Sequence, residues 1–295
     1  VDLFQAAVLG AVQGVSEFLP ISSTAHLILV PALLGWKDPG LTFDVALHLG
    51  TFTAVAVYFW RDFIGMGRAG LLSVTKGRAA WNDEARLAWM VVLGCVPAAA
   101  AGLMLEEAVE TTFRSPLVIS TMLIGVAFLL GLAEVVGSRV RELTHLRLPQ
   151  AIAIGIAQAC ALIPGTSRSG ATMTAAMFMG FSRESAARFS FLLGFPIILA
   201  SCLFKAKDTV EGVASRLQGS HPAGIVTHIL ASPQLPAFAV GIVTSGIVGY
   251  LCIRFLMQFL QQRSMWGFIG YRIALGLLIA GLVWTHHLPG EMLAK

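Results

Sequence analysis

The stretch GAVQGVSEFLPISSTAH, residues 10–26, returns in altered form as GIAQACALIPGTSRSG, residues 155–170. Gly10 and Gln13 fall on Gly155 and Gln158 at a spacing of 145, and Pro20 falls on Pro164 at 144. The correspondence continues downstream: Leu49 and Gly50 fall on Leu193 and Gly194, and Trp60 and Arg61 on Phe204 and Lys205. Self-similarity at a fixed spacing marks a duplicated plan. Here each copy is an apolar segment interrupted by Pro, Ser and Thr, then three long apolar runs. The copies are read as 1–146 and 147–295.

The long runs decide the environment. The chain is 56% apolar and only 12% charged, against roughly 25% charged in an ordinary soluble domain, so a soluble enzyme is excluded. Charge-free runs at Leu87–Leu105, Ser115–Ala133 and Ile273–Gly290 have 19, 19 and 18 residues. At about 1.5 Å per residue, each crosses most or all of a hydrocarbon core of roughly 30 Å as a helix. Val45–Trp60 and Phe189–Phe204, of 16 residues each, and a run from about Pro236 to Ile253 bring the count to six spans. Three crossings per copy turn the second copy upside down relative to the first. The expected fold is therefore an all-α integral membrane protein: six transmembrane helices and two re-entrant helical hairpins arranged as an inverted repeat.

Lys and Arg set the orientation. With the loop Arg61–Arg86 on the cytoplasmic side, that side also collects Arg139–Arg147, Arg183, Arg188, Arg254 and Arg263, twelve basic residues in all against six opposite. This holds only if neither interrupted segment crosses. The first then enters from outside and the second from inside, and their tips meet near the midplane. Irregular backbone at such depth must be buried in protein or line a watery cavity. Broken helices there aim their positive N-terminal ends into that cavity, which makes it an anion site.

The net charge of +4 reflects these topogenic residues, and no basic patch with interleaved aromatics suggests nucleic acid. Cys95, Cys160, Cys202 and Cys252 lie in apolar runs without CxxC spacing and read as buried hydrophobes. The first apolar segment, without a basic flank, does not read as a cleaved signal peptide. His286 and His287 end the last span and read as interfacial, while Gly94, Gly125, Gly241 and Gly246 suit close helix approach.

Within the hairpins, Glu17, His26 and Arg168 are ionisable groups in charge-poor sequence, a pattern that marks function in membranes. A phosphate needs a planar multidentate cation and several N–H or O–H donors, which Arg168 and the Gly165, Thr166, Ser167, Ser169 and Gly170 around it supply. Ser23 and His26 are three residues apart, on one face of a helix starting near the N-cap candidate Ser22. That spacing suits a nucleophile and its base, with Glu17 orienting His26 or taking the proton itself. Asp44 and His48, one turn apart, are candidate cation ligands or supporting groups.

The two motifs resemble those of the undecaprenyl pyrophosphate phosphatase family of bacterial inner membranes, whose patterns are similar to E-x-x-x-E-F-L-P-[VI]-S-S-T-G-H and P-G-x-S-R-S-G. The resemblance covers essentially the whole chain. It implies that Glu17, Ser23, Thr24, His26, Ser167 and Arg168 hold the catalytic and phosphate-binding positions, with Ser22 and Gln13 beside them. It also implies an undecaprenyl diphosphate substrate, an undecaprenyl phosphate product, and a divalent cation, magnesium or calcium, with Glu17 as its ligand. The site would open to the outer, periplasmic side of a multi-pass inner-membrane protein. A homodimer is left open. Two positions depart from the pattern: Gln13 replaces an acid, and Ala25 a glycine. Glu17 is then expected to act alone, with Gln13 and Gln158 as paired structural amides. Whether Ser23 or water attacks phosphorus stays open, and a transporter or flippase of a lipid phosphate or other anion is the competing class.

Overall fold

The computed structural model describes residues 1–111, 115–216 and 232–285. Its α-helices are α1 (Leu3–Phe18), α2 (Ser23–Leu34), α3 (Leu41–Tyr58), α4 (Trp60–Lys76), α5 (Asp83–Thr111) and α6 (Pro116–Val136) in the first part of the chain. There follow α7 (Leu148–Cys160), α8 (Arg168–Phe178), α9 (Arg183–Arg216), α10 (Leu235–Gln262) and α11 (Trp266–Trp284). Among the described residues the only β-type pairing is an isolated bridge between Arg141 and Phe181.

Two helix pairs are interrupted in the same way. Between α1 and α2 lies Pro20, which has no amide to donate, and Ser22 takes a left-handed φ of 74°. Between α7 and α8, Gly165 and Ser167 take φ of 92° and 69°. Helices α7 and α8 each start 145 residues after α1 and α2. The four helices have 16, 12, 13 and 11 residues, so at about 1.5 Å per residue each falls short of a core of roughly 30 Å. Each pair also doubles back. The ring of Phe4, near the start of α1, packs edge-on to Trp36 beyond the end of α2, with centroids 6.3 Å apart. Arg141, before α7, exchanges backbone hydrogen bonds of 2.9 Å with Gly180 and Ser182, after α8. This geometry is compatible with the re-entrant reading.

Among the described residues, five helices are long and apolar enough to cross a membrane: α5, α6, α9, α10 and α11. The pair α3 and α4 makes a sixth only when its two helices, bent by 75° to one another, are counted as one span. The run expected to cross as Val45–Trp60 thus stops at Tyr58 and turns into α4, a helix carrying Arg61, Asp62, Arg68 and Lys76. In the second copy α9 runs unbroken past the matching residues, Phe204 and Lys205. The end of the span expected at Ile273–Gly290, with His286 and His287, lies outside the described residues.

The segments that the sequence groups on one side meet at one end of the molecule. Arg188 pairs with Asp62, Arg86 donates to the carbonyl of Thr144, and Gln261 Nε2 donates to Glu184 at 3.1 Å. Glu134, buried at this end, is paired with both Arg183 and Arg139. Helix α10 packs on α1 and α3, and α5 packs on α7. Glycines permit these crossings: a Cβ at Gly155 of α7 would collide with the carbonyl oxygen of Gly94 in α5. Gly241 and Gly246 act similarly against Leu47 and Gly50, whereas Gly125, also expected at a crossing, is exposed with nothing near it. The centre is aromatic and aliphatic, with Phe18 edge-on to Phe191 at 5.4 Å.

One buried cation ties the breaks to the spans. Arg272, 0% exposed in α11, donates to carbonyl oxygens of Pro20 in the first break, Gly165 and Thr166 in the second, and Met122 and Leu123 in α6, at 3.0–3.2 Å. The carbonyls of Pro20, Gly165 and Thr166 have left helical geometry, those of Met122 and Leu123 lie within α6, and the guanidinium donates to all five.

Gly155→Leu should lower the yield of folded protein and its melting temperature in detergent by an amount matching about 1–3 kcal/mol or more, whereas Gly125→Ala should leave both unchanged. Arg272→Lys keeps the charge but not the planar fork; it should destabilise the fold by more than about 2 kcal/mol, read from the same melting curves.

Candidate active site

The two breaks share one cavity of about 220 Å³. Glu17, Ser22, Ser23, Thr24 and His48 line it from the first copy, and Gln158, Gly165, Ser167 and Arg168 from the second. The N-termini of α2 and α8 both begin at this cavity, so their partial positive charge falls on it. Helix α8 is capped by Ser167, whose Oγ accepts from Gly170 N at 3.2 Å, while Ser22 makes no side-chain cap on α2. The positive φ at both Ser22 and Ser167 is what turns each chain sharply into its helix, at about 1–2 kcal/mol per residue.

Glu17 is the hub. It sits in the last turn of α1, 6% exposed, where the helix dipole disfavours an acid. Its Oε1 accepts from Arg168 Nη2 at 3.0 Å, and its Oε2 from Ser23 Oγ at 2.8 Å and Gln13 Nε2 at 3.3 Å. His48 Nε2 lies 3.5 Å from the same Oε2. Arg168 is steadied by donating from Nη1 to the carbonyl of Ser190 at 3.0 Å. A Cβ at Gly194 would overlap its guanidinium, so the repeated glycine leaves room for it.

His26 is placed differently from the reading as Ser23's base. It does not line the cavity. Its Nδ1 lies 2.7 Å from the carbonyl of Ser22, which can only accept, so Nδ1 carries the proton. Its Nε2 is 2.6 Å from the hydroxyl of Tyr271, and the rings are stacked at 5.6 Å. The group within hydrogen-bond reach of Ser23 is Glu17.

The other expected residues divide. Ser169 is fully buried and turned to the first break, donating to the carbonyl of Leu19 at 3.1 Å. Gly170 lies against Arg272 and Ser167, and Thr166 is buried with its Oγ1 unpartnered. Gln13 lies under Glu17, outside the cavity lining. His48 Nδ1 donates to the backbone carbonyl of Asp44 at 2.8 Å, so the two are joined through the main chain. The paired-amide reading fails for Gln158, which has no partner at either end while Gln13 bonds Glu17. Sequence reasoning passed over Arg272 and Tyr271; the available signal was a lone arginine next to an apolar run, the mark already used for Arg168. Among the described residues, no three His, Cys, Asp or Glu side chains gather as a metal site, and the four cysteines are free.

Known proteins resemble this chain over nearly its whole length. The family model described as bacitracin resistance protein BacA matches residues 6–278. The undecaprenyl-diphosphatase of Thermomicrobium roseum is 45% identical over 285 residues, covering 94% of this chain and 97% of that protein. That of Moorella thermoacetica is 45% identical over 282 residues, covering 96% and 98%. That of Trichlorobacter lovleyi is 44% identical over 283 residues, covering 96% and 97%. On a match spanning nearly its whole length, the chain belongs to the bacitracin resistance protein BacA family.

Proposed function

We propose that this chain hydrolyses undecaprenyl diphosphate to undecaprenyl phosphate and inorganic phosphate, recycling the lipid carrier of cell-wall synthesis. The observation that carries this reading is the Glu17 carboxylate held between the Ser23 hydroxyl and the Arg168 guanidinium, at 2.8 and 3.0 Å, in one cavity at two helix N-termini. The protein would lie in the bacterial inner membrane with the cavity open to the periplasmic side, as the Lys and Arg distribution supports. The halves 1–146 and 147–295 would act as an inverted repeat forming one membrane domain. Every group used comes from one chain, so the reaction makes no demand on a homodimer.

The terminal phosphate enters between the starts of α2 and α8 and takes the fork of Arg168 away from Glu17. Freed of that partner, the Glu17 carboxylate is the proton acceptor for Ser23, and Ser23 Oγ attacks phosphorus. The bridging P–O bond breaks and the lipid phosphate departs, its charge held by Arg168 and the helix amides. Water then hydrolyses the phosphoserine. His48 stands next in line for the proton, since its Nε2 faces Glu17 and its Nδ1–H is committed to Asp44. His26 positions Ser22 and, through it, the turn that presents Ser23.

A divalent cation would be held by the one carboxylate that lines the cavity, Glu17, and completed by phosphate oxygens. Such an ion would neutralise charge on the phosphate oxygens. A transporter would need the anion cavity but not the Ser23–Glu17 pair, which favours the hydrolase.

Purified protein in detergent should release phosphate from a polyprenyl diphosphate, and Glu17→Gln or Arg168→Ala should each lower kcat by about 10³-fold or more; an inactive wild-type protein favours the transporter. Acid quenching during turnover of substrate labelled in the terminal phosphate should trap label on Ser23. Turnover without trapped label, with Ser23→Ala still active, points to direct attack by water.

A further inference from the structure

Gln158 is a buried side chain of the cavity whose donor and acceptor are both left uncommitted in the resting structure. It stands in the last turn of α7, is 3% exposed, lines the cavity, and has no hydrogen-bond partner at Nε2 or Oε1. Its counterpart Gln13 donates to Glu17. A buried primary amide without partners is unfavourable. The other unpartnered buried side-chain atoms among the described residues, on Gln13, Thr166 and Arg168, belong to the same two interrupted segments. The cavity is thus built for an occupant that both accepts and donates.

An amide presents one donor and one acceptor side by side. Phosphate oxygens accept, so they answer Nε2. Oε1 needs a donor, and hydrolysis itself brings one to the phosphorus, namely water. Resting on the phosphatase reading above, we infer that Gln158 orients the attacking water. Oε1 accepts one O–H of that water while Nε2 donates to an oxygen of the phosphoryl group under attack, the geometry a glutamine provides in other phosphoryl-transfer sites. The water oxygen forms the new bond to phosphorus and the bond from phosphorus to Ser23 Oγ breaks. One water proton passes to Glu17 and on to the departing Ser23 Oγ, and the other stays on the phosphate released.

The test is Gln158→Leu, similar in shape without hydrogen-bonding atoms, in the full chain in detergent. The expected result is a kcat lower by about 10- to 100-fold with KM nearly unchanged, accumulation of phosphorylated Ser23, and a melting temperature equal to or above that of the wild type. The rise follows because an unpaired amide is removed. Gln158→Ala serves as the second variant if leucine does not fold, with the same expectation for kcat and KM. A wild-type kcat in either variant, or a loss of activity that tracks a fall in melting temperature in both, overturns the inference. Wild-type protein that releases no phosphate sinks the phosphatase reading instead, so the two failures are told apart.

Discussion

The structure turns on one ion pair, Glu17 with Arg168, made between residues 151 apart. Both partners are largely withdrawn from water, which costs several kcal/mol per ion before any compensation. The compensation is local and complete for the carboxylate: a guanidinium, a hydroxyl and an amide divide its two oxygens. What surrounds the pair keeps the two interrupted segments in register. Arg272 grips carbonyls of both breaks, Ser169 reaches from one to the other, and glycine crossings bring α7 against α5 and α10 against α1.

The paired positive φ at Ser22 and Ser167 shows how the tips are held ready. A serine in left-handed geometry persists only where neighbours over-determine it. At Ser22 the carbonyl is held by the His26 ring, with Arg272 on the carbonyl of Pro20 two residues before. At Ser167 the hydroxyl caps α8, and the carbonyls of Gly165 and Thr166 are bound by Arg272. The strain lies at the positions that present Ser23 and Arg168 to the cavity. That is preorganisation for an anion, with the turns set before the ligand arrives.

Much of this was legible in the sequence, because a repeat and a charge-free run are one-dimensional signals. The breaks at Pro20 and Pro164 and the long apolar helices follow from spacing, and the meeting of the two interrupted segments from the distribution of Lys and Arg. Side-chain direction does not. Ser23 and His26 share a helical face by count, yet the first turn of α2 starts at a left-handed residue, and the ring of His26 swings to Tyr271, 245 residues away. The bend after Tyr58 was hidden because the matching segment of the second copy is one unbroken helix; α4 turns where Asp62 can meet Arg188, a long-range pairing that no local pattern reports. The difference between Gln13 and Gln158 was likewise invisible: the repeat makes them equivalent, and only the acid at Glu17, matched by Leu162 in the second copy, gives one a partner and not the other.

The 151-residue separation of the central ion pair also orders the birth of the protein. A ribosome adding about 5–20 residues per second needs roughly 8–30 seconds to deliver Arg168 after Glu17 has been made. Throughout that interval the acid has no guanidinium to meet, and hydrocarbon is the worst place to wait. Helices α3 to α6 emerge meanwhile and can settle without it. The leading tip therefore seats last, when the trailing half arrives, and a truncated nascent chain would be left holding an orphaned carboxylate.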